Sequence, residues 1–114
     1  MAKLTQEKQI IVYSREDGTE PFSDWVFNLK DTVGRKRILT RIERLGQGNY
    51  GDCEQVGEGV RELRMFFGPG YRVYFAEQNE MLVILLCGGD KSTQAQDIKK
   101  AKIYWKEYLE HEET

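Results

Sequence analysis

Residues 9–15, Gln-Ile-Ile-Val-Tyr-Ser-Arg, carry a β-branched run that predicts a strand. Asp17-Gly18 marks a turn, and Pro21 follows Thr19 and Glu20 where a first helical residue belongs. Phe22, Trp25, Val26 and Leu29 then recur at helical spacing, which predicts a short helix with one apolar stripe. A second helix is expected over residues 32–45. Ile38, Leu39, Ile42 and Leu45 form its apolar face, Arg35, Lys36, Arg37, Arg41 and Arg44 cover the rest, and Gly46 ends it. The glycine-rich stretch 46–59 reads as loop with a short strand near residues 53–56.

Three strands follow. In residues 60–66 Leu63 and Met65 alternate with Glu62 and Arg64. Phe67-Gly68-Pro69-Gly70 is a turn, with Pro69-Gly70 suited to the central pair of a type II turn. In residues 71–77 Tyr71, Val73 and Phe75 alternate with Arg72, Tyr74 and Ala76. Residues 81–88 are apolar at both parities and read as a central, covered strand. A last helix begins near Ser92 or Thr93, with Thr93 and Gln96 as a capping box and Ile98, Ala101, Trp105 and Tyr108 as its buried stripe. The pattern predicts a single α+β domain over residues 1–114: an N-terminal strand, two helices, an antiparallel β-meander and a C-terminal helix. The core spans about residues 9–108 and the acidic tail residues 109–114. Helices on one face and a partly open second face are expected.

Composition changes this picture little. The net charge of −2 hides a basic middle: residues 29–48 carry six Lys or Arg against two acids, and residues 60–106 carry eight against five. Such a chain can present a cationic surface, although a solvated mixed-charge surface explains any single run equally well. No apolar run approaches the roughly 20 residues that cross a bilayer. Residues 1–7 contain no apolar segment of the secretory kind, so no membrane partner is expected and the cytoplasm is the default location. Cys53 and Cys87 form no Cys-x-x-Cys pair, and with one histidine the chain offers no zinc set, so neither a disulfide, a metal nor a cofactor is expected.

Strand parity selects the side chains that could do chemistry. In a hairpin closed at Gly68–Gly70, Arg64 and Arg72 share the face opposite Leu63, Met65, Val73 and Phe75, and Lys91 follows the next strand with the parity of Cys87 and Gly89. Two arginine forks and an ammonium would make a phosphate-binding surface. The plain alternative pairs Arg64 and Arg72 with Glu62 and Glu77 as ordinary strand residues. Gly46-Gln47-Gly48-Asn49-Tyr50-Gly51 matches the dinucleotide-binding glycine pattern, yet it follows a helix and opens none, so it reads as loop. Tyr74, on the same face as the arginines, is the one aromatic suited to stacking on a base.

Two stretches resemble a known family. Gly59-Val60-Arg61-Glu62-Leu63-Arg64 with Gly68-Pro69-Gly70-Tyr71-Arg72-Val73-Tyr74-Phe75 resembles the paired strands of RelE/ParE-type toxins. Leu85-Leu86-Cys87-Gly88-Gly89-Asp90-Lys91-Ser92-Thr93-Gln94, followed by Asp97-Ile98 and Ala101, resembles the addiction-module killer branch, which is similar to HigB. The resemblance covers about residues 9–108. It implies a metal-free endoribonuclease that cuts mRNA in the ribosome, in which a ribose 2′-OH attacks the adjacent phosphate. By the same resemblance Arg72 would bind the scissile phosphate, Arg64 would assist, Lys91 would hold phosphate or stabilise the leaving group, and Asp90 would transfer a proton. Arg61, Tyr74, Thr93 and Lys99 would contact RNA, and the partners would be the ribosome, mRNA and a cognate antitoxin, encoded adjacently and often of helix-turn-helix type.

The chain departs from that pattern in two respects: residues 90–97 hold neither the histidine nor the tyrosine that several family ribonucleases use near the last helix, which leaves the base open among Asp90, Glu62 and Tyr74, and the chain is mildly acidic where many of these toxins are strongly basic. Two further readings therefore stand beside the ribonuclease. One is a ParE-like toxin that binds DNA gyrase without chemistry, and the other is an inactive relative that binds only its antitoxin. An exposed strand edge and the basic helix over residues 32–45 are both docking surfaces for such a partner.

Overall fold

The structure, a computed structural model, describes residues 7–112; the reading of the first residues and the end of the acidic tail fall partly outside this range. Strand β1 (Gln9–Val12) leads into helix α1 (Pro21–Phe27) and helix α2 (Thr32–Gly46). Strands β2 (Cys53–Gly57), β3 (Val60–Arg64), β4 (Arg72–Gln78) and β5 (Leu82–Gly89) follow. A single 3₁₀ turn (Lys91–Thr93) then opens helix α3 (Gln94–Glu112). The strands form one sheet in the order β1-β5-β4-β3-β2, antiparallel except where β1 lies parallel to β5. The α+β class and the order of elements match the sequence reading.

The helices, however, cover both faces of the sheet. On one side α1 and α2 bring Phe22, Val26, Ile38, Ile42 and Leu45 against Leu63, Met65, Val73, Phe75, Val83 and Leu85. On the other, α3 brings Ile98, Ala101, Trp105 and Tyr108 against Val60, Tyr74, Ala76, Ile84 and Leu86. The expectation of one open face is corrected here, and the reason lies in β4 and β5. Both are apolar at both parities, and leaving Tyr74, Ile84 and Leu86 wet would forfeit roughly 1.5–3 kcal/mol for each. Because β5 lies between β1 and β4, the middle strand of the sheet is β4. Cys53 and Cys87 are free and belong to opposite faces.

Local chemistry sets the helix starts. Pro21 begins α1 as expected. Asp31 caps α2 by accepting from the Gly34 N–H at 2.9 Å, and it also accepts the Tyr71 hydroxyl at 2.9 Å. Gly34 is required within α2, because a Cβ there would lie 2.4 Å from the Asp31 carboxylate and 2.8 Å from the Tyr71 ring. The β3–β4 turn closes one residue earlier than expected. Gly70 N–H donates to the Phe67 carbonyl at 3.1 Å, so Gly68 and Pro69 are the central pair, and Gly68 takes φ +58°. The cap before α3 is likewise displaced: Asp90 accepts from the Ser92 N–H at 2.8 Å and Thr93 Oγ1 faces the Asp90 N–H, in place of the expected Thr93–Gln96 pair.

One irregularity positions the end of β5. Tyr74 pairs with Cys87 but Phe75 pairs with Leu85, so Leu86 is an extra residue in β5. Beyond this bulge Cys87 and Gly89 turn to the α3 side, while Gly88 faces the Trp25 ring of α1.

Candidate functional site

Among the described residues, the charged ones that are buried are Glu62 (1% exposed), Arg72 (7%) and Asp97 (8%). They come from β3, β4 and the first turn of α3, and they meet where α3 starts across the end of the sheet. Buried charge is costly unless paired, so this concentration marks a candidate functional site.

Arg72 is the centre of the site. It opens β4 opposite Arg64 on one side and Gly89 on the other. Its Nη1 donates to the Gly70 carbonyl at 2.9 Å, and its Nε lies 4.0 Å from Glu62 Oε2 without making a hydrogen bond. Glu62 Oε2 instead accepts the Tyr74 hydroxyl at 2.9 Å and Gln94 Nε2 at 2.8 Å. Carboxylate, hydroxyl and amide thus hold the floor beneath the guanidinium. Burial and the Glu62 carboxylate push the Tyr74 hydroxyl far above its ordinary pKa, so it remains a neutral donor.

Lys91 joins Arg72 at Gly70. A Cβ at Gly70 would meet Arg72 Nη1 at 3.3 Å and Lys91 Cβ at 3.4 Å, and Gly70 holds φ +79°. The Arg72 guanidinium and the base of the Lys91 side chain therefore flank one glycine, with Lys91 exposed and free of any ion pair among the described residues. Asp90 beside it is bound into the cap: its Oδ1 accepts from the Ser92 N–H at 2.8 Å and from the Ser92 hydroxyl. Arg64 is tied down more firmly, with Nη2 at 3.2 Å from Asp52 Oδ1 and 2.7 Å from Glu54 Oε1.

The expected RNA contacts do not gather here. The Tyr74 ring is wholly buried beneath α3, so no base can stack on it, and that expectation is corrected. Arg61 lies on the α2 face, 3.9 Å from Glu77 and over the Tyr50 ring. Lys99 is exposed on the outer side of α3, and Thr93 donates its hydroxyl to Asp97 Oδ2.

Asp97 was not singled out in the sequence. Its carboxylate sits over Gly89 so closely that a Cβ there would lie 1.9 Å from Oδ2. Its carbonyl accepts the Cys87 thiol at 3.7 Å, and burial, reinforced by the Asp97 charge, pushes that thiol up to about 12. The signal was present: Asp97, Ala101 and Tyr104 stand at i, i+4 and i+7, an acid within a helix stripe that packs inward. Among the described residues no group of His, Cys, Asp and Glu could hold a metal ion, and no helix is long and apolar enough to cross a membrane.

Residues 24–107 match the family described as Phage derived protein Gp49-like (DUF891), and the chain belongs to that family. It is a toxin-like, addiction-module family related to the RelE/ParE fold. An uncharacterized protein of Haemophilus influenzae (strain ATCC 51907 / DSM 11121 / KW20 / Rd) is 53% identical over 85 residues, which cover 75% of this chain and 86% of that protein.

Proposed function

We propose that this chain is the toxin of a type II toxin–antitoxin module and that it cuts mRNA on the ribosome without a metal. The observation that carries the reading is the arrangement at Gly70: the Arg72 guanidinium, with the Glu62 carboxylate 4.0 Å from its Nε, and the stem of the exposed Lys91 flank the same glycine. Arg72 Nη2 makes no hydrogen bond to the described residues, which leaves one corner of the fork for a phosphate oxygen. In the reaction the 2′-oxygen forms a bond to the adjacent phosphorus and the P–O5′ bond breaks. Arg72 and Lys91 stabilise the charge that grows on the phosphoryl oxygens. Asp90, whose Oδ1 is held by Ser92, takes the 2′-proton on its other oxygen, and Lys91 protonates the leaving 5′-oxygen. The ribosome supplies orientation, which can be worth several kcal/mol of a barrier. Arg64 and Thr93 are assigned supporting roles near the reacting phosphate, Arg61 and Lys99 could touch RNA only away from it, and a cognate antitoxin is the partner that silences the toxin.

One observation favours the gyrase-binding rival. Arg64 is consumed by Asp52 and Glu54, as an arginine with no chemistry to perform would be. The two readings separate in one experiment. The wild-type chain and Arg72→Ala are induced in cells lacking the antitoxin, transcript 5′-ends are mapped, and gyrase-dependent DNA breaks are scored. New cuts in translated frames that vanish in Arg72→Ala are the expected result. DNA breaks with whole transcripts would establish gyrase poisoning instead, and healthy growth with neither effect would mark an inactive relative.

A further inference from the structure

The end of β5 also walls a cleft of about 360 Å³, of which the proposed chemistry uses only Asp90 and Thr93. Pro21 and Trp25 of α1 form one side, Cys87, Gly88, Gly89 and Asp90 the floor, and Thr93, Asp97, Lys100 and Tyr104 the other side. The volume lies within the range of small-ligand sites. Both floor glycines are required by what stands over them: a Cβ on Gly88 would lie 2.2 Å from the Trp25 ring, and one on Gly89 would lie 1.9 Å from Asp97 Oδ2. The sequence thus keeps a flat backbone floor between an indole and a carboxylate.

Asp97 is the informative wall. It is 92% buried by the 8% exposure it retains, yet no Lys or Arg forms an ion pair with it among the described residues. Its Oδ2 accepts from Thr93, while its Oδ1 accepts no hydrogen bond among the described residues and is not sealed from solvent. That oxygen is an acceptor left open at the cleft, where a ligand's donor can replace water. Flanking Trp25 and Tyr104 rings favour a planar ligand that stacks. The cations lie next door: Gly89 is the register partner of Arg72, and the chain runs directly from the cleft floor through Asp90 to Lys91. A ligand with a planar, donor-bearing ring and a phosphate spans both.

We infer that this cleft binds a guanine base of the RNA substrate, with Asp97 accepting from its N1–H and exocyclic amine. Guanine offers these two donors side by side on one edge. Adenine and cytosine place a ring acceptor next to their single amino group, and uracil flanks its one N–H with carbonyls, so each of these sets an acceptor against the carboxylate. The inference takes its substrate class, RNA, from the proposed ribonuclease and its base preference from the cleft alone.

The test uses the full chain, isotope-labelled, titrated with GMP, UMP and inorganic phosphate and followed by NMR. GMP is expected to shift the Gly88 and Gly89 amides and the Trp25 indole N–H saturably, and to bind about tenfold more tightly than UMP. Trp105 is the internal control, since its indole lies against Gly59 outside the cleft. Phosphate should leave the Trp25 indole unmoved. Asp97→Asn, near-isosteric, should lose the GMP preference while its thermal melt stays cooperative; should it fail to fold, Lys100→Glu at the exposed rim should weaken GMP binding in its place. Equal shifts with UMP or phosphate, shifts outside the cleft, or an unchanged preference in Asp97→Asn would overturn the inference. If GMP fills the cleft while transcripts in the induction experiment stay whole, the base site stands and the ribonuclease reading falls. If transcripts are cut while GMP moves nothing in the cleft, the base site falls and the ribonuclease stands.

Discussion

The two faces of the sheet are built on different terms. Beneath α1 and α2 the buried residues are Phe22, Val26, Ile38, Ile42, Leu45, Leu63, Met65, Val73, Phe75, Val83 and Leu85, with Tyr71 the only one carrying a polar atom. Beneath α3 the apolar packing of Ile84, Leu86 and Ala101 is interrupted by Glu62, Arg72, Tyr74, Cys87 and Asp97. An ion pair in such a place is seldom more stabilising than apolar side chains of equal volume. Stability alone would therefore have made the second face resemble the first. The first face keeps its charge at the margin of the core, as in the Lys8–Glu77 pair beside Tyr50, whereas the second carries charge within the packing under α3 itself.

The contrast predicts opposite responses to substitution. Phe75→Ala, in the centre of the dry face, should cost about 3–5 kcal/mol in a urea unfolding experiment, and any activity should be lost along with the fold. Arg72→Lys on the polar face should keep the fold but lose the planar fork, lowering mRNA cleavage about 10²–10³-fold. A Phe75→Ala protein as stable as wild type, or an Arg72→Lys protein that cuts normally, would erase the distinction.

Gly89→Ala probes the seam itself. The added Cβ would fall 1.9 Å from the Asp97 carboxylate, and neither group can yield without moving the first turn of α3 off the sheet. A loss of about 1–3 kcal/mol is expected, as for other overpacked sites. Amide exchange should quicken in the first turn of α3 and stay slow in α2. Uniformly faster exchange would mean that the two faces unfold as one unit and that the seam has no separate stability.

Much of this was legible in the chain. The helical stripe of Phe22, Trp25 and Val26, Gly46 at the end of α2 and the alternation of Leu63, Met65, Val73 and Phe75 each specify one local choice, and the structure follows them, although α1 stops at Phe27 and leaves Leu29, the last position of the expected stripe, beyond its end. The pairing of Arg64 with Arg72 across the hairpin followed from the same parity. What parity could not supply was the position of α3. Tyr74 on the alternate face is compatible with a stacking aromatic and with a buried one, and only the helix packed over it decides. The extra residue Leu86 in β5 has no sequence signature, yet it turns Cys87 and Gly89 toward α3. Arg41 was read as part of a solvated basic face. Instead its guanidinium reaches inward to the carbonyls of Arg64 at 2.8 Å and Tyr50 at 3.2 Å, joining α2 to the loop before β2. Long side chains on a helix can turn either way, and the spacing of charges does not record which.

The smallest expected effect is a pH dependence at the rim of the dry face. Hydrogen bonds from the Gly34 N–H and then from the Tyr71 hydroxyl hold the Asp31 carboxyl below its ordinary value near 3.8. A folded-state pKa lowered in this way contributes stability above the ordinary value, and that contribution is lost as pH falls through the folded one. Asp31→Asn keeps an N-cap oxygen but has no charge to titrate. The variant should therefore be slightly less stable than wild type at pH 7, and the gap in urea midpoint should start to close as pH falls below the ordinary value near 3.8 and vanish once it has passed the lower folded one. Because Tyr71 belongs to the core under α1 and α2, a closing gap would show that this face depends on the Asp31 charge at one margin as well as on the Lys8–Glu77 pair at another. A gap that stays constant as pH falls through and well below the ordinary carboxylate range would assign the whole difference to packing and leave Asp31 without an electrostatic part in holding that face.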